Sequence, residues 1–217
     1  AVDDLVESRS AMKKMLVILG ASNVDVAMDG DEATQYILNN DYDLVISDYN
    51  LGRGRDGQQI LEEARFIRRL KATTTFVMLT GENAMDMVMG AIEYEPDDYV
   101  TKPFTIDIMR QRLTRILTIK EQLRPINKAI DRQAKGEVLQ LCDEYIKNKP
   151  RLKNRVERIK GRTLMSLNRW EDALNLYDEV LKDHELTWAL LGKATCLFHK
   201  DQFKDAKGLL EYTINLH

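Results

Sequence analysis

Short apolar runs alternate with amphipathic stretches throughout the first half of this chain. Four runs have the length and composition of buried strands: residues 24–27, 44–46, 76–79 and 99–100. Around them, apolar residues recur with a helical period in five stretches, at 5–19, 31–39, 57–70, 84–94 and 105–123. Apolar strands that alternate with helices require a parallel sheet covered on both faces. With the tail of another strand before Asp3, the pattern predicts a doubly wound α/β domain with five parallel strands.

After residue 122 the strands stop and the sequence reads as helical. A comparison of the chain with itself at an offset of 33 residues aligns Trp170 with Phe203 and Ala173 with Ala206. Small and aromatic residues at fixed offsets are typical of stacked helix–turn–helix repeats. The spacing resembles that of tetratricopeptide repeats at five positions: Gly161, Leu164, Trp170, Ala173 and Tyr177. A plain helical bundle is the alternative that remains open.

Charge changes at the same point in the chain. Residues 1–122 hold 21 acidic and 14 basic residues (net −7), whereas residues 123–217 hold 14 and 18 (net +4). We therefore predict two domains, 1–122 and 123–217. No apolar run approaches the roughly 20 residues that span a bilayer. The N-terminal residues show no signal-peptide pattern, and Cys142 and Cys196 lack disulfide or metal spacing, so a cytoplasmic location is expected.

Charged and polar residues follow the predicted strands where each strand ends. Asp3 and Asp4 follow the first strand, Asp48 the third, Thr80 the fourth and Lys102 the fifth. The carboxyl ends of parallel strands meet at one edge of a sheet, so these side chains should lie together. Three carboxylates repel one another unless a cation neutralises them, and Mg²⁺ suits such oxygen ligands. An aspartate in this setting can attack phosphorus, with Lys102 and Thr80 binding phosphoryl oxygens.

Four motifs in register carry a resemblance to a known family. They are VDD at 2–4, ISDYN at 46–50, MLTGE at 78–82 and DDYVTKPF at 97–104. Together they resemble the receiver domain of bacterial two-component response regulators, over residues 1–122. The resemblance implies a flavodoxin-like fold that accepts a phosphoryl group and then loses it, both by its own catalysis. This sequence departs from the family's usual pattern at position 52, where Gly52 stands in place of a common proline.

The same resemblance assigns roles to individual residues. It implies that Asp48 is the phosphoacceptor and that Lys102 and Thr80 bind the phosphoryl group. The implied Mg²⁺ ligands are Asp3, Asp4, Asp48 and the backbone carbonyl of Asn50. Tyr99 would be the aromatic residue that switches rotamer with Thr80, and the Lys102–Pro103 peptide would be cis.

We therefore expect a phosphorylation-controlled signalling protein, rather than an enzyme, whose helical half binds an as yet unknown protein. No histidine precedes His184. The phosphoryl donor should therefore be a sensor histidine kinase, a phosphotransfer protein or a small acyl phosphate. Repeats without a polar cap predict either a longer parent chain or a homodimer. Residues 147–162, with eight bases and one acid, predict a solvated helix face or an acidic partner. Their lack of interleaved aromatics argues against nucleic acid.

Some features of the sequence suggest other functions. Gly52, Gly54 and Gly57 form a G-x-G-x-x-G pattern, but it follows the wrong strand for a dinucleotide site and lacks the acid about 20 residues further on. A phosphatase of the haloacid-dehalogenase type would need a second aspartate where Asn50 stands. A constitutive scaffold and a phosphate sink remain open. The acidic cluster argues against the scaffold, and a sink would need rapid hydrolysis.

Overall fold

The computed structural model describes residues 1–52, 54–81, 95–148 and 150–216. The chain forms two compact units, residues 1–127 and 128–217. In the first unit the strands are β1 (Leu44–Asp48), β2 (Thr75–Thr80) and β3 (Asp98–Thr101), and the helices are α1 (Val6–Ile18), α2 (Gly30–Asn39), α3 (Gly57–Phe66) and α4 (Ile106–Gln122). Helix α5 (Arg124–Asp131) contains the boundary between the units. The predicted helix at 84–94 lies outside the described residues.

The sheet is parallel, with β2 between β1 and β3. Val2 adds one isolated parallel bridge to Ser47 in β1 and another to Ala27. The segments therefore lie in the order 24–27, 1–3, β1, β2, β3. The expected count of five strands is only partly seen, because pairing at the first two segments is limited to Val2 and its two partners.

Side chains that alternate along the strands build a core on each face of this sheet. Val45, Phe76 and Met78 point into one core with residues of α2 and α3. Ile46 and Val77 point into the other core with residues of α1 and α4. All six residues of β2 are buried, as expected for a strand covered on both faces. The doubly wound α/β fold predicted from the sequence is confirmed.

Short polar side chains start the helices next to the strand ends. Asp56 accepts a hydrogen bond from the backbone N–H of Gln59, whose side chain accepts one from the Asp56 N–H in return, so α3 begins with a capping box. Asp29 caps α2 and Thr105 caps α4, and in each case the side chain accepts one hydrogen bond from a backbone N–H in the first turn of the helix. These caps fix the point at which each loop ends and its helix begins.

All regular secondary structure described in the second unit is helical. It contains α6 (Lys135–Asn148), a short 3₁₀ turn (Pro150–Leu152), α7 (Lys153–Ser166), α8 (Trp170–Asp183), α9 (Thr187–His199) and α10 (Phe203–Asn215). Helices α8 and α10 begin at Trp170 and Phe203, which are the two positions aligned by the offset of 33. Tyr177 of α8 is buried between Gly161 of α7 and Gly192 of α9. That these pairs are tetratricopeptide repeats stays a prediction.

Candidate functional site

Three carboxylates converge where β1 ends and where the chain leaves Val2 for α1. Asp48 is the last residue of β1, and Asp3 and Asp4 lie in the turn before α1. One carboxylate oxygen from each lies within 4.8 Å of the others. Asp3 is buried, Asp48 is half-buried and Asp4 is exposed. The structure thus brings these three predicted site residues into one cluster, open to solvent on the Asp4 side.

Lys102 reaches this cluster from the loop after β3. Its Nζ donates to Asp48 Oδ2 at 2.7 Å and to Asp3 Oδ2 at 2.9 Å. Its backbone N–H donates to the carbonyl of Thr80 at 2.7 Å, which fixes the start of the loop against β2. The following Lys102–Pro103 peptide is cis, as the resemblance implies. The ammonium group lies between two carboxylates that belong to different segments of the chain.

Burial and charge act against each other at this site. Burial raises the pKa of the Asp48 carboxyl group; the hydrogen bond and charge of Lys102 lower it, and the charge of Asp3 raises it again, leaving a net increase. Burial lowers the pKa of Lys102, but hydrogen bonds to Asp48 and Asp3 outweigh it and the net shift is upward. Lys102 is one positive charge among three carboxylates, so the cluster favours an additional cation.

Thr80 ends β2, the strand that pairs with β1, and carries a buried hydroxyl group. The residue is fully buried. Its Oγ1 atom has no hydrogen-bond partner among the residues that the structure describes. A buried hydroxyl group without a hydrogen-bond partner is unfavourable by roughly 1–3 kcal/mol. A polar ligand that formed a hydrogen bond with this hydroxyl group would remove that cost.

The remaining two predicted residues lie on β3 and on the loop after β1. Tyr99 of β3 is half-buried and packs against the core beneath α2 and α3. Burial, with smaller contributions from the charges of Glu95 and Tyr49, raises the pKa of its phenol to about 12. The phenol is therefore neutral at physiological pH. Asn50 lies two residues after Asp48 and is exposed.

The glycines of the G-x-G-x-x-G pattern shape the loop after Asp48. Gly52 has φ +70°, and a Cβ atom there would lie 3.1 Å from Asp4 Oδ2. Gly57 begins α3 so close to β1 that a Cβ atom would lie 2.7 Å from Met78 Sδ and 3.0 Å from Ser47 Oγ. The pattern therefore serves backbone conformation and close packing beside the acidic cluster.

Two arginines in the receiver unit receive no functional role from the sequence. Arg9 in α1 binds the backbone carbonyls of Asp3 and Asp4. Arg55, in the loop before α3, pairs with Asp31 and with Glu63, at 2.6 Å from Nε to Oε2 in the latter case. A basic residue about one helical turn after an acid pair was the available signal for Arg9, but nothing in the sequence shows which atoms it binds.

Comparison with known proteins identifies the family. The response regulator receiver domain family matches residues 1–114, and the chain belongs to that family. The matched region contains the acidic cluster, Thr80, Tyr99 and Lys102 and ends within α4.

Individual relatives match over the same region. The chain is 30% identical over 115 residues to the chemotaxis protein CheY of Pseudomonas aeruginosa, covering 53% of this chain and 91% of that protein. It is 33% identical over 112 residues to the transcriptional regulatory protein DltR of Streptococcus agalactiae, covering 52% and 48% of the two chains. The crystal structure of NtrX from Brucella abortus aligns with a TM-score of 0.50 and 26% identity, over 58% of this chain and 28% of that one.

Family membership establishes the general role of the first unit. It is a CheY-like receiver domain of a response regulator, a phosphoacceptor signalling domain. Receiver domains bind Mg²⁺ through an acidic aspartate cluster, which here corresponds to Asp3, Asp4 and Asp48. They receive their phosphoryl group from histidine kinases or phosphotransfer proteins. None of the described helices is long and apolar enough to cross a membrane.

Proposed function

We propose that Asp48 accepts a phosphoryl group from a histidine kinase or a phosphotransfer protein and that the helical unit passes the signal to a protein partner. The observation that carries the proposal is the hydrogen bond from Lys102 to the Asp48 carboxylate, with a buried hydroxyl group at the end of the neighbouring strand β2. Asp48 touches Lys102 Nζ at 2.7 Å, and the buried Thr80 hydroxyl has no partner among the described residues. An ammonium group and a free hydroxyl donor are the groups that a bound phosphoryl would need.

In the transfer step, a carboxylate oxygen of Asp48 attacks phosphorus, and the bond from phosphorus to the donor nitrogen breaks. The electron pair of that bond leaves with the imidazole of the donor, and an aspartyl phosphate remains. Lys102 holds Oδ2 of Asp48 before the step and can pair with a phosphoryl oxygen afterwards. The Thr80 hydroxyl can donate a hydrogen bond to another phosphoryl oxygen. Later attack by water on phosphorus would regenerate Asp48.

The acidic cluster fits a hard divalent cation. Oxygen atoms of Asp3, Asp4 and Asp48 within 4.8 Å of one another form the donor set that Mg²⁺ prefers. We propose that these three side chains and the backbone carbonyl of Asn50 hold Mg²⁺. When bound, Mg²⁺ would neutralise carboxylate charge and attract phosphoryl oxygens. Gly52 keeps the neighbouring loop clear of Asp4, because its missing side chain would lie against the Asp4 carboxylate.

The proposed output begins with Thr80 and Tyr99. A phosphoryl group that draws the Thr80 hydroxyl towards Asp48 would open space beside the half-buried Tyr99, whose inward rotation would change the surface around β3. In the helical unit, Phe198 and Phe203 are both more than half exposed, and the centroids of their rings lie 5.2 Å apart. Exposed paired aromatic rings support a protein-binding role for this unit.

The acceptor is tested by intact-mass spectrometry after incubation with Mg²⁺ and acetyl phosphate, with Asp48→Asn as the control. We expect one phosphoryl adduct that requires Mg²⁺ and is absent from the variant. If neither acetyl phosphate nor candidate kinases give an adduct, a constitutive scaffold becomes the better account.

The output is tested by hydrogen exchange of residues 128–216 before and after phosphorylation. We expect altered protection in this unit, and no alteration in Asp48→Asn. Identical exchange in both states, together with equal partner affinity, would contradict the proposed route from receiver to helical unit.

A further inference from the structure

Arg9 connects helix α1 to the backbone that carries two of the three acids. Its Nη1 atom donates to the carbonyl of Asp3 at 2.7 Å and to the carbonyl of Asp4 at 2.9 Å. A single guanidinium nitrogen carries two hydrogens, so it can satisfy both carbonyls at once. Arg9 therefore fixes two consecutive peptide groups at the point where the chain turns from the sheet into α1.

The side chains of Asp3 and Asp4 differ in how they are held. Asp3 Oδ1 accepts from the Leu5 N–H at 3.0 Å, and Asp3 Oδ2 accepts from Lys102 at 2.9 Å. The exposed Asp4 carboxylate makes no hydrogen bond to any of the residues that the structure describes. Its direction therefore depends on the backbone beneath it, and that backbone is bound by Arg9.

We propose that Arg9 is a positioning residue for the divalent-cation site, holding Asp3 and Asp4 so that their carboxylates face the same ion as Asp48. This inference rests on the proposed function of the acidic cluster. Arg9 acts through the backbone carbonyls and does not itself bind the ion. Without it, the turn at residues 3–5 would sample other conformations, and the ion would have to order Asp4 at the moment of binding.

Charge and positioning predict opposite effects of removing Arg9. A positive side chain close to a cation site repels the cation, so its loss by charge alone would tighten binding. Loss of the two carbonyl bonds would instead weaken binding. Groups that hold a metal ligand in place through a hydrogen bond, without binding the metal themselves, typically contribute about 10–100-fold to metal affinity. The sign of the change therefore separates the two effects.

The experiment measures Mn²⁺ affinity of the full chain by electron paramagnetic resonance of the free ion, because Mn²⁺ takes the same oxygen ligands as Mg²⁺. For Arg9→Met we expect a Kd about tenfold higher than that of the parent. Arg9→Lys should lie between the two. The matched control is Lys13→Met, which removes a positive charge one turn further along α1 from an exposed side chain. It should leave the Kd unchanged or slightly lower.

A second readout is the Mg²⁺ dependence of phosphorylation by acetyl phosphate. The half-saturating Mg²⁺ concentration should rise about tenfold in Arg9→Met, while the rate at saturating Mg²⁺ should stay close to that of the parent. Equal or tighter Mn²⁺ binding by Arg9→Met would overturn the inference. If thermal unfolding shows that this variant does not fold, Arg9→Lys decides: weaker Mn²⁺ binding supports the role and unchanged binding overturns it. A parent chain that binds no Mn²⁺ would contradict the proposed function as well, so the two failures are distinguishable.

Discussion

Replacing Gly192 by alanine should destabilise the helical unit, although alanine is the better helix former. A Cβ atom at Gly192 would lie 2.7 Å from both Cε2 and Oη of Tyr177, and still closer to Cζ. Tyr177 is only 2% exposed, and a Cβ atom at Gly161 on its other side would lie 2.6 Å from Oη, so the ring has little room to move away.

The expected magnitude follows from two opposing contributions. Alanine in a helix interior is favoured over glycine by about 1 kcal/mol. Overpacking against a buried side chain costs about 1–3 kcal/mol, and the fixed ring places Gly192 at the upper end. We therefore expect a loss of about 2 kcal/mol in the free energy of unfolding. Gly208→Ala in α10 is the matched control, because a Cβ atom there would meet nothing within 4 Å. It should gain roughly 0.5–1 kcal/mol.

The assay is urea unfolding followed by tryptophan fluorescence. Both tryptophans of the chain, Trp170 and Trp188, lie in the helical unit, so the signal reports on that unit. In a Tyr177→Leu background, Gly192→Ala should cost less, since the ring that it meets is gone. If Gly192→Ala stabilises the unit as Gly208→Ala does, the packing of Tyr177 between α7 and α9 is wrong.

Three further predictions concern the receiver unit. Because burial raises the pKa of Asp48 above 3.8, the ionised carboxylate is disfavoured in the folded state and the parent loses stability as pH rises above that value. Asp48→Asn should therefore raise the thermal midpoint of the metal-free protein at pH 7, and the gain should disappear below about pH 4. Lys102→Met should slow phosphorylation by acetyl phosphate by about 100-fold, because a donor to the developing phosphoryl charge is lost. The control is Lys71→Met, which removes a lysine from an exposed ion pair with Asp41 and should react like the parent. Lys120 Nζ lies 2.9 Å from Asp97 Oδ2, and both side chains are about 15% exposed or less. Because Lys120→Met would leave the mostly buried Asp97 charge without this partner, it should lower the free energy of unfolding, measured by denaturant titration, by about 3 kcal/mol. Lys71→Met, which breaks an exposed ion pair, should have little effect.

Much of the receiver fold could be predicted because each strand is a short apolar run that ends in a polar residue. The parallel arrangement then places Asp48, Thr80 and Lys102 at one edge without any knowledge of side-chain contacts. Helix α3 shows where periodicity misleads. Its apolar pattern continues to Leu70, which is buried, but the helix ends at Phe66 and Arg68 has φ +58°. A residue can thus keep its place in the core after the helix has ended.

Contacts to the backbone were the part that the sequence could not show. The bonds from Arg9 to two carbonyls involve no complementary side chain, so no pattern of residue types marks them. That Thr80 Oγ1 has no hydrogen-bond partner among the described residues is likewise a property of the folded environment. The apolar residues of segment 24–27 predict a strand, yet within this segment only Ala27 forms a bridge, to Val2. Strand pairing depends on the neighbouring chain as much as on local composition.

The most direct test of the central claim is to locate the phosphoryl group within the chain. Borohydride reduces an aspartyl phosphate to homoserine, so treatment of the phosphorylated protein followed by peptide mass spectrometry marks the residue that was modified. We predict homoserine at position 48, dependent on Mg²⁺, with Asp3 and Asp4 recovered unchanged. Modification at Asp3 or Asp4, or phosphorylation of Asp48→Asn to the same extent, would contradict the account.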